Sequence, residues 1–290
     1  MKRIYIIAVM AFFLVDFVRA EEAGVNLFIL SGQSNMSRLE LKDEFIPAVE
    51  KEFGKKAVLV VKDAMPGQHI KRWYKLWTPV NGQTPAGNGD LYDRLITKVN
   101  AATKGVTVKT VTFIWMQGES DSQNAGVLYE PSLLGLFDQI KSDLKRTDIN
   151  FVIGRISDYT ERNKAFAQNW EMIRKTQVKV GESGPRFAWV DTDDLNDGVD
   201  DKGKEVKNDL HCSVEGRKIM GQRFAAKAIE LIKRNAAGTL TDQAAWRTST
   251  TVIEDDTASL FRVRDAMPLE SNNRRFLRLR FTLQPSIPWL

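Results

Sequence analysis

The chain has one cysteine, Cys212, among 290 residues. An internal disulfide framework and any cysteine-rich zinc module are therefore excluded. Histidine is almost as scarce. His69 and His211 are the only two, which leaves little room for a histidine-based metal site. Charge of one sign is also lacking. The net charge of +5 is small for this size and does not mark a nucleic-acid binder. There is no internal repeat and no low-complexity segment, and no stretch beyond the N-terminal region is apolar enough to span a membrane. What remains is ordinary globular usage, 43% hydrophobic and 27% charged, long enough to build a core without staples.

The N-terminal segment reads as an export leader. Lys2 and Arg3 precede an unbroken apolar run from Ile4 to Val15, which Asp16 closes. Val18-Arg19-Ala20 then places small residues at the −3 and −1 positions of a cleavage site. The run is too short for a membrane span of about 20 residues. Removal of residues 1–20 near Ala20 lowers the net charge to +3 and delivers a secreted or periplasmic protein.

The following 210 or so residues alternate strand and helix signals. Short apolar runs at 25–30, 57–62, 108–116, 151–154 and 187–190 predict five buried strands. Helical spacing appears over 91–102, 133–144 and 166–180, and in a last helix carrying Ile219, Met220, Phe224, Ala228, Leu231 and Ile232. Buried strands separated by helices predict an α/β fold with a parallel sheet covered on both faces. Ligands in such folds sit beyond the carboxyl ends of the strands. The last helix is expected to end at Ala236-Ala237-Gly238. Residues 237–290 form a separate extension, partly β or disordered, with a half-exposed strand expected at 275–281.

The strand ends carry the chemistry. The first runs into Gly32-Gln33-Ser34-Asn35-Met36, where Ser34 can serve as a nucleophile beside backbone N–H groups, or as a simple cap. The third ends in Trp115-Met116-Gln117-Gly118-Glu119-Ser120-Asp121. Asp209-Leu210-His211 precedes the last helix and suits a base oriented by a carboxylate. Asp191 to Gly198 is rich in aspartate, but a calcium loop aligned on it puts Leu195 and Lys204 at ligand positions, so it reads as a solvated loop.

These motifs, with Gly67-Gln68 before Ile70 and Trp73, occur in an order that resembles the sialate O-acetylesterase-like branch of the SGNH hydrolases, which includes carbohydrate esterase family 6 and its acetylxylan esterases. The resemblance covers residues 24–235. It implies a flavodoxin-like three-layer α/β/α sandwich, an esterase domain over 21–236, and hydrolysis of acetyl esters on carbohydrates without metal or cofactor. It implies Ser34 as nucleophile, His211 as base, and Asp209 or Glu119 as the acid. The oxyanion hole falls to the N–H groups of Ser34 and Gly67, aided by Gln117. Gln33, Gln68 and Trp73 are candidate substrate contacts, and Trp77 a further candidate sugar platform. The chain departs from the family's patterns at Asn208, where many members have Asp, and at Met116, where some have His. A catalytically silent carbohydrate binder and an esterase for other acyl groups are the competing readings.

Overall fold

The computed structural model describes residues 24–80, 82, 85, 87–123, 126–159, 166–245, 251–257 and 260–265, with side chains described only up to residue 236. The expected leader and the strand expected at 275–281 lie outside them.

The five apolar runs form the strands β1 (Val25–Gly32), β2 (Val58–Ala64), β3 (Val108–Met116), β4 (Asn150–Gly154) and β5 (Phe187–Val190). All pair in parallel, in the order β2-β1-β3-β4-β5. The chain steps from β1 to β2 on one side, then returns past β1 to continue with β3. That reversal between β1 and β3 is the topological switch point, where the ends of two neighbouring strands lead their chains apart and leave a crevice.

Six helices flank the sheet: α1 (Ser34–Arg38), α2 (Phe45–Phe53), α3 (Asp90–Thr103), α4 (Gly126–Asp143), α5 (Ala167–Gly181) and α6 (Val214–Ala245). Right-handed crossovers on the two sides of the switch place α2 and α3 on opposite faces. α6 lies beside α2, with Gln222 donating to Glu44 and Lys233 paired with Glu52. α3, α4 and α5 share the other face, where Phe137 of α4 stacks on Phe151 at 4.2 Å and Phe151 on Phe187 at 5.2 Å. The fold is thus the three-layer α/β/α sandwich with a five-stranded parallel sheet. Among the described residues, no helix is long and apolar enough to cross a membrane.

Three helices differ from expectation, of which α4 begins at Gly126 and not near 133. α2 was not legible, because it buries only Phe45 and Val49 and carries Pro47 in its first turn. α6 does not end at Gly238 but runs to Ala245. A single glycine costs a helix only about 1 kcal/mol and does not stop it. By compactness the chain divides into units of residues 1–235 and 236–290. The second contains an antiparallel hairpin, β8 (Thr251–Thr257) with β9 (Leu260–Asp265). A smaller hairpin in the first unit joins β6 (Gly198–Val199) to β7 (Glu205–Val206).

Gly32 closes β1 under tight restraint. A Cβ there would lie 1.9 Å from the Met116 carbonyl oxygen, and its φ is +143°. Gly32→Ala is expected to cost about 3 kcal/mol or more, lowering Tm by roughly 6–12 °C. Gly54→Ala shares a positive φ, +83°, but meets open space, and should cost only about 1–2 kcal/mol. Thermal melts of the two variants check the difference; equal losses would mean that the contact with β3 is not what requires glycine.

Candidate active site

Ser34 opens the single turn of α1 directly beyond the end of β1 and is 7% exposed. Its neighbour Asn35 is buried and makes three side-chain hydrogen bonds. Asn35 Nδ2 donates to Glu119 Oε1 at 3.0 Å and to the Leu210 carbonyl at 3.3 Å, and Asn35 Oδ1 accepts the Cys212 N–H at 3.0 Å. The turn bearing Ser34 is therefore joined to the end of β3 and to the peptides on both sides of His211. Sequence reasoning missed Asn35. Its only signal was its place inside the Gly-Gln-Ser-Asn-Met motif.

His211 sits in the loop before α6 with its side chain 26% exposed. Its Nδ1 lies 3.8 Å from Asp209 Oδ1, the same oxygen that accepts the His211 backbone N–H at 3.0 Å. Asp209 is itself anchored, its N–H donating to the Asn196 carbonyl while Asn196 Nδ2 donates to the Asp209 carbonyl. Burial holds the imidazole below its ordinary pKa, and the positive charge of Arg38 adds to this, while Asp209 opposes it. Cys212 is buried, and burial pushes its thiol up to about 12, which leaves it unreactive.

Gly67 lies in the exposed loop after β2 at φ +67°, with open space where a Cβ would stand. That conformation suits glycine and leaves the backbone accessible to a ligand. The loop is pinned from β3, because Gln117 Nε2 donates to the Gln68 carbonyl at 3.0 Å.

The structure places the other candidate contacts as follows. Gln117 is fully buried, and its two amide hydrogens face three acceptors: Asp121 Oδ2 at 2.5 Å, the Gln68 carbonyl, and Gln33 Oε1 at 3.3 Å. Its hydrogens are engaged by these protein groups, and one of them holds the loop after β2. Gln33 is 3% exposed, and its Oε1 also accepts the Ser120 N–H. The Gln68 side chain is tied within its own loop, donating to the Pro66 carbonyl and accepting from Arg72. Trp73 is 1% exposed, donates to Ser31 Oγ at 3.0 Å and meets Trp115 edge-on at 5.2 Å. It is a core residue, because its indole face is already covered.

Asp121 and His69 form a second pairing beside Gly67. Asp121 is 1% exposed, and its Oδ2 accepts the Ile70 N–H and the Gln117 amide. His69 Nδ1 stands 3.7 Å from its other oxygen. Together with Lys71, Trp77, Pro79, Val80 and Leu128 they line a cavity of about 360 Å³. A larger groove of about 640 Å³ runs along β5 between α5 and α6, past Trp189 and Arg234, and contains none of these residues. Three of the four aspartates of the 191–198 loop pair with arginines, Asp191 and Asp193 with Arg155, Asp193 with Arg174 and Asp194 with Arg223, while Asp197 accepts the Asn208 N–H.

Glu119 is 6% exposed, and its Oε2 has no hydrogen-bond partner among the described residues. Burial raises its pKa to about 7, against 4.5 for an ordinary glutamate. The folded state therefore holds this proton more tightly than the unfolded chain does. Its effect is most favourable below pH 4.5 and is lost as pH rises towards and past 7. Glu119→Gln keeps an acceptor for Asn35 and removes the titration. Urea melts at pH 5 and pH 8 should show wild type losing stability relative to Glu119→Gln as pH rises; a constant difference would show that Glu119 has no raised pKa.

The chain is similar in fold to a protein of Arabidopsis thaliana, with 18% identity over 71% of this chain and 98% of that one, at a TM-score of 0.53. A carbohydrate acetylesterase from Xanthomonas citri aligns at 13% identity over 69% of this chain and 55% of its own, with a TM-score of 0.44. A lipase/acylhydrolase from Enterococcus faecalis aligns at 12% identity over 71% and 96%, with a TM-score of 0.41. No curated protein matches the sequence significantly. The family model described as carbohydrate esterase, sialic acid-specific acetylesterase matches residues 38–230. That span begins just after the Ser34 turn, takes in Gly67, Gln117, Glu119 and His211, and covers more than half of the chain, which accordingly belongs to this family of ester hydrolases.

Proposed function

We propose that the protein removes acetyl groups from carbohydrates through an acetyl-enzyme on Ser34. One observation carries the reading: Asn35, adjacent to Ser34, is hydrogen-bonded to the peptides before and after His211. The only histidine preceded closely by an acid is thus fastened beside a serine at the switch-point crevice.

In this reading Ser34 Oγ attacks the acetyl carbonyl as His211 takes its proton. The oxyanion accepts hydrogen bonds from the N–H groups of Ser34 and Gly67. The tetrahedral intermediate collapses, the bond from the acetyl carbon to the sugar oxygen breaks, and His211 returns the proton to that oxygen. Water activated by His211 then releases acetate and restores Ser34. Asp209 is the acid that orients the imidazole, supported by its 3.8 Å approach to Nδ1. The cavity bounded by His69 and Trp77 receives the sugar, since an indole face with polar neighbours suits a carbohydrate ring. The same reading assigns residues 1–20 to a leader removed near Ala20, 21–236 to the esterase and 237–290 to an appended segment. The N-terminal sequence of the exported protein checks the cleavage.

Two experiments test the chemistry. Ser34→Ala should abolish hydrolysis of an aryl acetate, and a fluorophosphonate should label Ser34 in wild type. Absence of labelling would leave a silent binder, and faster turnover of octanoate than acetate esters would make it an esterase for longer acyl groups. Asp209→Asn should lower kcat by about 10⁴, and Glu119→Gln by far less. A larger loss in Glu119→Gln would transfer the role of the acid to Glu119. Trp77→Ala should raise KM for an acetylated oligosaccharide while leaving turnover of an aryl acetate nearly unchanged; an equal effect on both would remove Trp77 from the sugar site.

A further inference from the structure

Asn35 takes no part in the chemistry above, yet its side chain is more fully engaged than any other near Ser34. It is 2% exposed, and its partners lie 84, 175 and 177 residues away in sequence. Both amide hydrogens have an acceptor and the amide oxygen has a donor. Two of the three partners, the Leu210 carbonyl and the Cys212 N–H, flank His211.

We infer that Asn35 is the positioning residue for the general base, a buried amide that locks the peptides on both sides of His211 to the turn carrying Ser34. The inference rests on the reading of Ser34 and His211 as the reacting pair.

The chemistry of the site requires an amide at this length. Two donors and one acceptor must be presented together, and only Asn or Gln offers them. Gln adds a methylene to a packed position. Asp keeps an oxygen for the Cys212 N–H but sets a second oxygen against Glu119 Oε1 and the Leu210 carbonyl; a proton on Glu119 can bridge the carboxyl pair, but the Leu210 carbonyl loses its donor. Ala leaves the Leu210 carbonyl and the Cys212 N–H without their partner. The amide orientation follows from the network, since a flip would oppose oxygen to oxygen and N–H to N–H. Asp209 lies 3.8 Å from His211 Nδ1, so its charge acts on the ring without a hydrogen bond. The loop's backbone is held from Asn196 at Asp209 and from Asn35 on both sides of His211. A displacement of about 1 Å in such a pair can cost about 100-fold in rate.

The test uses the full chain with Asn35→Ala and Asn35→Asp, each assayed at 25 °C after its fold is confirmed by circular dichroism. Both should lose at least about tenfold in kcat, with about 100-fold expected, and KM for an aryl acetate should change little. The chain has only two histidines, so ¹⁵N-histidine spectra resolve both rings. The His211 ring signals should shift or broaden while those of His69 stay in place. A loss below about tenfold in folded Asn35→Ala would overturn the inference, as would wild-type kcat in Asn35→Asp, which would show that the donors are dispensable. Equal disturbance of both histidines, or failure of both variants to fold, would make Asn35 a general core residue and overturn it as well. Ser34→Ala and His211→Ala are measured alongside. Wild-type turnover in those two would sink the reacting pair itself, whereas their inactivity beside an active Asn35→Ala sinks only the role of Asn35.

Discussion

β1 and β3 meet so closely at their carboxyl ends that no side chain fits between them. Gly32 is opposite Met116 in the register, and the Gln33 N–H donates to the Met116 carbonyl at 2.9 Å. Both strands therefore leave the sheet at the same level. One exits into Ser34 and Asn35, the other into Gln117, Gly118 and Glu119. Gly118 at φ +148°, crowded by Ile173, turns the second exit as Gly32 releases the first. Because the two exits are adjacent, a side chain as short as asparagine spans them. A bulkier residue at position 32 would part the strand ends and, with them, every hydrogen bond that crosses the crevice.

Above this junction lies a layer of buried polar groups, each of which would be costly alone. Asn35, Gln33, Gln117, Glu119 and Asp121 are all 6% exposed or less. They bond to one another and to the backbone, with Gln117 Oε1 and Glu119 Oε2 left without a partner among the described residues. From Gln117 the network reaches Gln33, the Gln68 carbonyl and Asp121, and Asp121 in turn accepts the Ile70 N–H. The loop after β2, which carries Gly67, is thereby fixed by residues that follow β3. Asn35 performs the same service for the loop before α6. The loop after β2 and the loop before α6 are thus both fixed by buried side chains.

Much of this was legible in the sequence, for a physical reason. Strands buried on both faces read as unbroken apolar runs, so β1 to β5 stand out, and α3 and α5 show their periodic stripes. Ser34, Gly67, Glu119 and His211 stand out as polar or glycine residues at strand ends or before the last helix. What was not legible depends on partners far away in the chain. Spacing says nothing of an amide that bonds residues 84 to 177 positions distant, nor that Gln117 spends its hydrogens on Asp121 and Gln68. The burial of Trp73 against Trp115 was hidden for the same reason. An indole has one appearance in sequence, whether its face meets solvent or Trp115. Pro47 and a thin apolar stripe hid α2, and Gly238 exaggerated a break in α6.

The electrostatics bear on which carboxyl group serves His211. Burial pushes the imidazole towards its neutral form, and it raises Glu119 to about 7. A neutral imidazole is what a base requires before it accepts a proton. The imidazolium formed during attack then needs a negative charge nearby in the same partly buried setting, against Arg38 and Arg217, which both disfavour it. Asp201 helps from the surface, already paired with Arg38 and Arg217. Glu119 is a poor source of that charge, since near neutral pH about half of it carries a proton. Asp209 is one-third exposed, 3.8 Å from Nδ1, and its charge already favours the protonated ring. The backbone bonds to Asn196 keep it in place. Burial separates the two: the enclosed glutamate is bound by Asn35 as part of the scaffold, and in the proposed mechanism the wetter aspartate supplies the field that an imidazolium needs.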